Sequence, residues 1–127
     1  MASELRAKIL DFDDEETELH EVQQWGGMEL LVKGMNGRAR ARFLKASADN
    51  GKVDFERFYP ELIISTVFDP ETGEPVFGKA DRDALNNKSG AALDSLAGVA
   101  MRLSGLSDTS VKEAEADLEE TLSGGST

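Results

Sequence analysis

The sequence contains no cysteine and a single histidine, His20, and both shortages restrict its chemistry. Without cysteine there can be no disulfide and no thiolate metal site, so we expect a chain made in the cytosol. One histidine seldom forms a catalytic site without partners, and we interpret His20 as a surface residue of a strand. The serines and glycines form neither the G-x-S-x-G nucleophile elbow nor the phosphate-binding glycine motifs. We therefore expect neither an enzyme nor a bound cofactor.

Long hydrophobic runs are also missing. The longest uncharged apolar run covers about residues 62–68, which is far short of the ~20 residues that a membrane helix requires. The first ten residues, MASELRAKIL, do not have the pattern of a signal peptide. The chain has 127 residues, of which 39% are hydrophobic, and this suits one domain with a modest core. We therefore expect no membrane partner.

Positive charge is scarce at both ends of the chain. Of the formal net charge of −11, residues 1–24 contribute −6 and residues 108–127 contribute −5, so residues 25–107 are neutral. Nucleic-acid binding depends on neutralising phosphates, and this distribution predicts no nucleic-acid partner. The acidic run 11–16 lacks the central glycine and distal acid of a calcium loop, and we expect no metal site there. The acidic ends either keep the protein soluble or meet a basic partner.

A β-hairpin is predicted in the N-terminal part of the chain. Its strands would be Thr17–Gln24 and Met28–Lys33, joined through Gly26-Gly27, which supplies the conformational freedom that a turn requires. A lone hairpin is only marginally stable in water, so it must pack on helices or on another copy of itself. Trp25 lies in this turn, where it either covers the hairpin or anchors an interface.

A basic helix is predicted after the hairpin, over Arg38–Ala48, with Asn36 as its N-cap and Gly51 as a left-handed cap beyond its end. Arg38, Arg42 and Lys45 follow the spacing i, i+4, i+7 and share one face of this helix. This face is either simply solvated or meets an acidic end of a neighbouring copy. In the second case, replacing Arg38 and Arg42 by Glu should weaken assembly, and an unchanged mass in solution would argue against it.

The rest of the chain is predicted to be mostly helical. Val53–Phe68 has apolar residues at spacings of three and four, and Pro60 lies either in an early turn of one helix or between two short helices. Asp69–Gly73 is a strong turn sequence. Further helices are predicted at Glu4–Leu10, Lys79–Asn86, Gly90–Leu103 and Val111–Leu122, the last followed by a Ser/Gly tail.

These elements predict a mainly α-helical α+β fold, in which an N-terminal β-hairpin packs on a bundle of four to five helices. Residues 1–107 would form one domain with an acidic N-terminal segment, and residues 108–127 an acidic helix with a flexible tail. The apolar spacing predicts a core that includes Leu30, Val32, Phe43, Phe55, Phe58, Leu62, Phe77, Leu85, Leu93, Leu96 and Leu103.

Several short segments, taken in order, resemble the tail assembly chaperones of long-tailed bacteriophages. The segment 67–77 (VFDPETGEPVF) is followed by 80–89 (ADRDALNNKS), by 93–96 (LDSL) and by 103–106 (LSGL). Upstream, the turn at Trp25-Gly26, the strand ending in Val32-Lys33 and the basic helix also fit the family. The resemblance covers about residues 3–107 and rests on the order and spacing of these segments.

This resemblance implies a chaperone that binds and solubilises the tape measure protein in the host cytoplasm, is displaced as the tail tube polymerises, and is absent from the mature virion. Many members of the family are made as a short form and a frameshifted extension, and this chain would be the short form. The candidate protein-interaction residues are Trp25, Arg38, Arg42 and Lys45. Expected partners are the tape measure protein, the tail tube protein, the frameshifted long form and further copies of this chain. The alternative function is a structural head–tail connector or tail protein that stays in the virion.

Overall fold

The computed structural model describes residues 2–106, of which 54% are helical and 18% are in strands. Within this range, five α-helices accompany an N-terminal antiparallel hairpin, which confirms the predicted mainly helical α+β class. The helices are α1 (Ala2–Asp11), α2 (Gly37–Ala46), α3 (Phe55–Thr66), α4 (Arg82–Asn86) and α5 (Gly90–Leu103). The strands are β1 (Thr17–Val22), β2 (Met28–Lys33), β3 (Ala48–Asp49), β4 (Lys52–Val53) and β5 (Val67–Phe68). The predicted helix Val111–Leu122 and the Ser/Gly tail lie outside the described residues.

The predicted hairpin pairs β1 with β2, and β5 adds a third antiparallel strand on the other side of β2. The register runs from Thr17 opposite Lys33 to Val22 opposite Met28. The first strand ends two residues earlier than predicted, because Gln23–Trp25 forms a turn of 3-10 helix. The hairpin does not stand alone, since α5 packs against both of its strands.

The face of β1 that meets α5 carries Glu18, His20 and Val22, which alternate with more exposed residues because successive side chains point to opposite sides of a strand. Val22 is fully buried. The ring nitrogen Nε2 of His20 lies 2.7 Å from Oγ of Ser95. One guanidinium nitrogen of Arg102 donates to both carboxylate oxygens of Glu18, at 2.8 and 2.9 Å. Two polar contacts therefore fix the position of β1 along α5.

Pro60 lies in the interior of the single helix α3, so the alternative of two short helices is wrong. Proline has no amide hydrogen, which leaves the carbonyl oxygen of Glu56, four residues earlier, without its usual helical donor. The side-chain amide of Asn86 in α4 donates to this oxygen at 2.7 Å. A hydrogen bond from a neighbouring helix thus replaces the one that the proline removes.

The core lies between α3, α5 and the sheet, with α2 and α4 closing its sides. Most of the predicted core residues are buried, and Leu30, Phe77 and Leu103 are partly buried against the core. Phe55 is the exception: it is 54% exposed, because it begins α3 at the edge of the packed region. The last two residues of the predicted helix, Val67 and Phe68, instead form β5, which pairs with β2.

The sequence Asn50-Gly51 does not cap α2 as predicted. The helix ends earlier, at Ala46, and Asn50-Gly51 instead connects the two-residue strands β3 and β4. Both residues have positive φ, 53° and 77°, as a tight hairpin turn of this type requires. The predicted N-cap of α2 is confirmed, because the side-chain oxygen of Asn36 accepts a hydrogen bond from the amide of Ala39 at 2.8 Å.

The C-terminal end of α5 sits directly on the segment that follows β2. A Cβ atom at Gly34 would lie 2.9 Å from the carbonyl carbon of Leu103 and closer still to its oxygen, so no side chain fits there. Next to this contact, the amide of Met35 donates to Oγ of Ser104 at 3.0 Å. At its other end, α5 has the predicted N-cap, since Ser89 Oγ accepts a hydrogen bond from the amide of Ala92.

Candidate protein-interaction surfaces

Helix α1 has no buried residue, although one of its faces is apolar. Leu5 and Ile9, together with Phe12 just beyond the helix, follow the spacing i, i+4, i+7, and they are 60%, 63% and 72% exposed. Leu10 is also exposed. We call Leu5, Ile9 and Phe12 the α1 stripe. Contiguous exposed apolar side chains commonly mark surfaces that bind another protein.

A second apolar surface is a shallow groove of about 310 Å³ beside the β1–β2 turn. Its walls are Trp25, Met28, Phe77, Leu85 and Lys88. The side chain of Met28 is 65% exposed, whereas Leu85 belongs to the buried core and forms the base of the groove. An apolar groove with one cation at its rim suits the apolar face of a helix better than a small polar ligand.

Trp25 serves both the core and this groove. It is partly buried and packs against the hydrophobic core, and it also lines the open groove. The local backbone explains its position: after the 3-10 turn, Gly26 and Gly27 have φ of 71° and 76°, and the amide of Gly27 returns to the carbonyl of Val22 at 3.0 Å. The two alternatives for Trp25, cover of the hairpin and interface anchor, are therefore compatible with one conformation.

The third surface is the exposed face of α2, where Arg38, Arg42 and Lys45 lie. We call these three residues the basic stripe. Phe43, on the opposite face, is 1% exposed and anchors the helix in the core. No ion pair within residues 2–106 involves the basic stripe. Arg40 differs from its neighbours, since its guanidinium group contacts the carbonyl oxygen of Ser104 at 3.5 Å.

An acidic pocket of about 510 Å³ lies at the N-terminal end of α2. Asp14, Glu15 and Glu16 line one side of it, and Glu15 forms a long ion pair of 3.8 Å with Lys33. Carboxylates are favourable beside the positive end of a helix dipole, which gives this arrangement a structural explanation. Across the described part of the chain, no group of three or more His, Asp or Glu residues is arranged to hold a metal ion.

The contact between His20 and Ser95 has the residue types of a base and a nucleophile, but it connects a strand to the middle of a helix. The second ring nitrogen of His20 has no hydrogen-bond partner among residues 2–106, whereas a catalytic histidine is usually oriented by a third group. Another polar contact joins neighbouring elements in the same way. Buried Glu61 of α3 lies 3.6 Å from Arg82 of α4. These contacts have a structural explanation in holding the fold together.

The structure does not bring all the predicted interaction residues together. Trp25 lines the groove, whereas Arg38, Arg42 and Lys45 are not among the residues that form it. Their role in binding stays a prediction. Sequence reasoning missed the α1 stripe, although the spacing of Leu5, Ile9 and Phe12 could have indicated it. The groove had no local signal, because its walls come from three separate parts of the chain. In the described residues, no helix is long and apolar enough to cross a membrane.

A hairpin packed on α5, with α2, α3 and α4 around the same core, gives a fold similar to that of a phage tail assembly chaperone. The solved structure described as "Structure of bacteriophage HK97 tail assembly chaperone" has this fold, with a TM-score of 0.57. The two sequences are 18% identical, and the alignment covers 85% of this chain and 100% of that one. At this identity the likeness is one of fold. No protein-family model and no curated protein matches the sequence.

Proposed function

We propose that this protein is a bacteriophage tail assembly chaperone, which binds and solubilises the tape measure protein while the tail is built. The observation that carries the proposal is the likeness of fold, which extends over the whole length of the HK97 tail assembly chaperone. The order of the short sequence segments described above supports the same function independently of the fold.

Two exposed apolar surfaces support a chaperone role. A chaperone of this kind must cover apolar side chains of its client. The apolar surface with which it does so must therefore be exposed and not packed in the core of the chaperone. The α1 stripe and the groove beside Trp25 meet this requirement, since Leu5, Ile9, Phe12 and Met28 are all more than half exposed. Amphipathic helices bind to proteins through such apolar grooves and faces, with contacts spaced by three and four residues. The acidic ends of the chain would keep the complex in solution.

The proposed role is binding rather than catalysis, and it requires no cofactor and no contact with nucleic acid or membrane. The protein would act in the host cytoplasm, leave the client as the tail tube polymerises, and be absent from the mature virion. It would be the short form of a frameshifted pair. It would associate with further copies of itself along a long client, and the tail tube protein and the long form would be its other partners.

The test is co-expression of this chain with fragments of the tape measure protein from the same genome, followed by a pull-down and a mass measurement. A soluble complex with several copies per fragment is the expected result. Fragments that stay insoluble, together with detection of this chain in purified particles, would favour the alternative of a structural tail or connector protein.

A pair of variants identifies the surface that binds. Leu5→Ser with Ile9→Ser removes two residues of the α1 stripe, and the matched control, Glu4→Ser with Lys8→Ser, changes two exposed polar residues of the same helix. We expect the first variant to lose client in the pull-down and the control to retain it. Equal retention by both would exclude α1 as the binding surface, and Met28→Ser would then test the groove.

A further inference from the structure

The basic stripe of α2 is an exposed surface whose charge is not neutralised by residues 2–106. Arg38, Arg42 and Lys45 are all exposed, and they lie on the side of α2 opposite buried Phe43. Three positive charges within a helix of ten residues repel one another. An acidic partner that covers this face would relieve the repulsion.

The described part of the chain ends close to α2. Leu106 is buried, and its amide donates to the carbonyl of Met101 at 2.8 Å, so the end of the described chain is held in place. Two residues earlier, Ser104 contacts α2 and the segment just before it. Its Oγ accepts a hydrogen bond from the amide of Met35 at 3.0 Å, and its carbonyl oxygen lies 3.5 Å from the guanidinium of Arg40 in α2. The remaining residues therefore start beside α2.

The segment that follows has the opposite charge to the stripe and sufficient length to reach it. Residues 108–127 contain six acidic residues and one lysine, a net charge of −5. Fully extended, about 20 residues span roughly 70 Å, whereas a helix of ten residues is about 15 Å long. The segment can therefore pass round α2, which is about 10 Å wide, and lie along its exposed face.

We infer that the basic stripe of α2 is a docking surface for the acidic C-terminal segment, residues 108–127, of the same chain. A single exposed ion pair is weak, but several opposite charges on a tethered segment act together. The tether keeps the local concentration of the segment in the millimolar range. In the free protein the stripe is then covered, and an acidic surface of any other partner must displace the segment to reach it.

The absence of cysteine makes a direct test possible. In Ser123→Cys the new thiol is the single labelling site, and a nitroxide attached to it broadens the amide NMR signals of nearby residues. We expect a loss of signal intensity along the exposed face of α2 in the chain of 127 residues. Raising the salt concentration should restore the signals, because it screens exposed charges. Unchanged α2 signals, or a loss confined to other elements, would overturn the inference.

Two controls separate this contact from others. Neutralising the stripe (Arg38→Gln, Arg42→Gln, Lys45→Gln) should abolish the loss of signal. Removing three other exposed charges (Arg6→Gln, Lys8→Gln, Lys79→Gln) should leave it in place. The spectra also report whether each variant is folded.

A mixture of isotope-labelled chain without nitroxide and unlabelled chain with nitroxide tests whether the segment docks on a neighbouring chain instead of its own. Loss of signal in that mixture would mean that the segment docks on a neighbour, against the inference. The client is absent from every sample, so these results do not depend on the proposed function.

Discussion

Helices α1 and α5 both have apolar residues at helical spacing, yet the structure uses them in opposite ways. In α5 six residues are buried, and the helix packs on α3 and on both strands of the hairpin. In α1 no residue is buried, and its apolar side chains face solvent. An amphipathic pattern therefore indicates a surface that needs a partner, but the partner can lie inside the same molecule or in another one.

The largest expected loss of stability comes from creating a cavity under α5. Leu96 is fully buried, so Leu96→Ala should lower the free energy of unfolding by about 2–5 kcal/mol, through lost apolar contacts and an unfilled space. Urea denaturation followed by circular dichroism measures this. Leu5→Ala in α1 is the matched control and should change stability by less than about 0.5 kcal/mol. Similar losses in both variants would mean that α1 is packed in solution.

A second test concerns the contact between the C-terminal end of α5 and Gly34, the residue that follows β2. Gly34→Ala places a methyl group against the backbone of Leu103 and should lower the free energy of unfolding by about 1–3 kcal/mol, because backbone must shift to make room. A Cβ at Gly37, the first residue of α2, meets no atom within 4 Å. Gly37→Ala should therefore be neutral or slightly stabilising, and thermal unfolding of the two variants gives the comparison.

A smaller effect is expected at the hydrogen bond that compensates for Pro60. Asn86→Ala removes the donor to the carbonyl of Glu56 and should cost about 1 kcal/mol. In the background Pro60→Ala, residue 60 has an amide that can donate to the same oxygen, so Asn86→Ala should cost less there. A double-mutant cycle by urea denaturation measures the coupling. Equal costs in both backgrounds would show that Asn86 acts through other contacts.

The α1 stripe is expected to have the smallest effect on stability, although it is proposed to have the largest effect on binding. Replacing Leu5, Ile9 and Phe12 together by Ser should change the free energy of unfolding by no more than about 0.5 kcal/mol, because all three side chains are already in water. The same triple variant should lose the tape measure fragment in a pull-down. A stable triple variant that retains the fragment would show that the exposed stripe has another role.

Local signals predicted local structure well. The N-caps at Asn36 and Ser89, the turn at Asp69–Gly73 and the hairpin all rest on interactions between residues that are close in the chain, and the structure confirms them. The turn is an example, since the amide of Gly73 donates to the carbonyl of Asp69 at 2.8 Å. Asn50-Gly51 was assigned to the wrong turn, because the same residue pair suits both a helix cap and a tight hairpin.

The same reasoning could not predict contacts between residues that are far apart in the chain. The spacing of apolar residues placed Phe55 in the core, but it lies at the edge of the packed region. The groove at Trp25 combines residues from the hairpin turn, from the loop before α4 and from α4 and its C-terminal side. Neither the exposure of a residue nor the walls of a groove is a property of spacing alone, since both depend on which elements pack on each other.

The sequence by itself determined the mainly helical α+β class, the position of the hairpin, most of the core and the concentration of acid at both ends. These follow from backbone preferences, hydrophobic periodicity and charge, which act over a few residues. Only the tertiary structure decided that α5 is buried while α1 is exposed, that Asn86 supplies the hydrogen bond that Pro60 removes, and that Gly34 must lack a side chain. Each of these depends on the distance between residues that are far apart in the chain, and packing alone sets that distance.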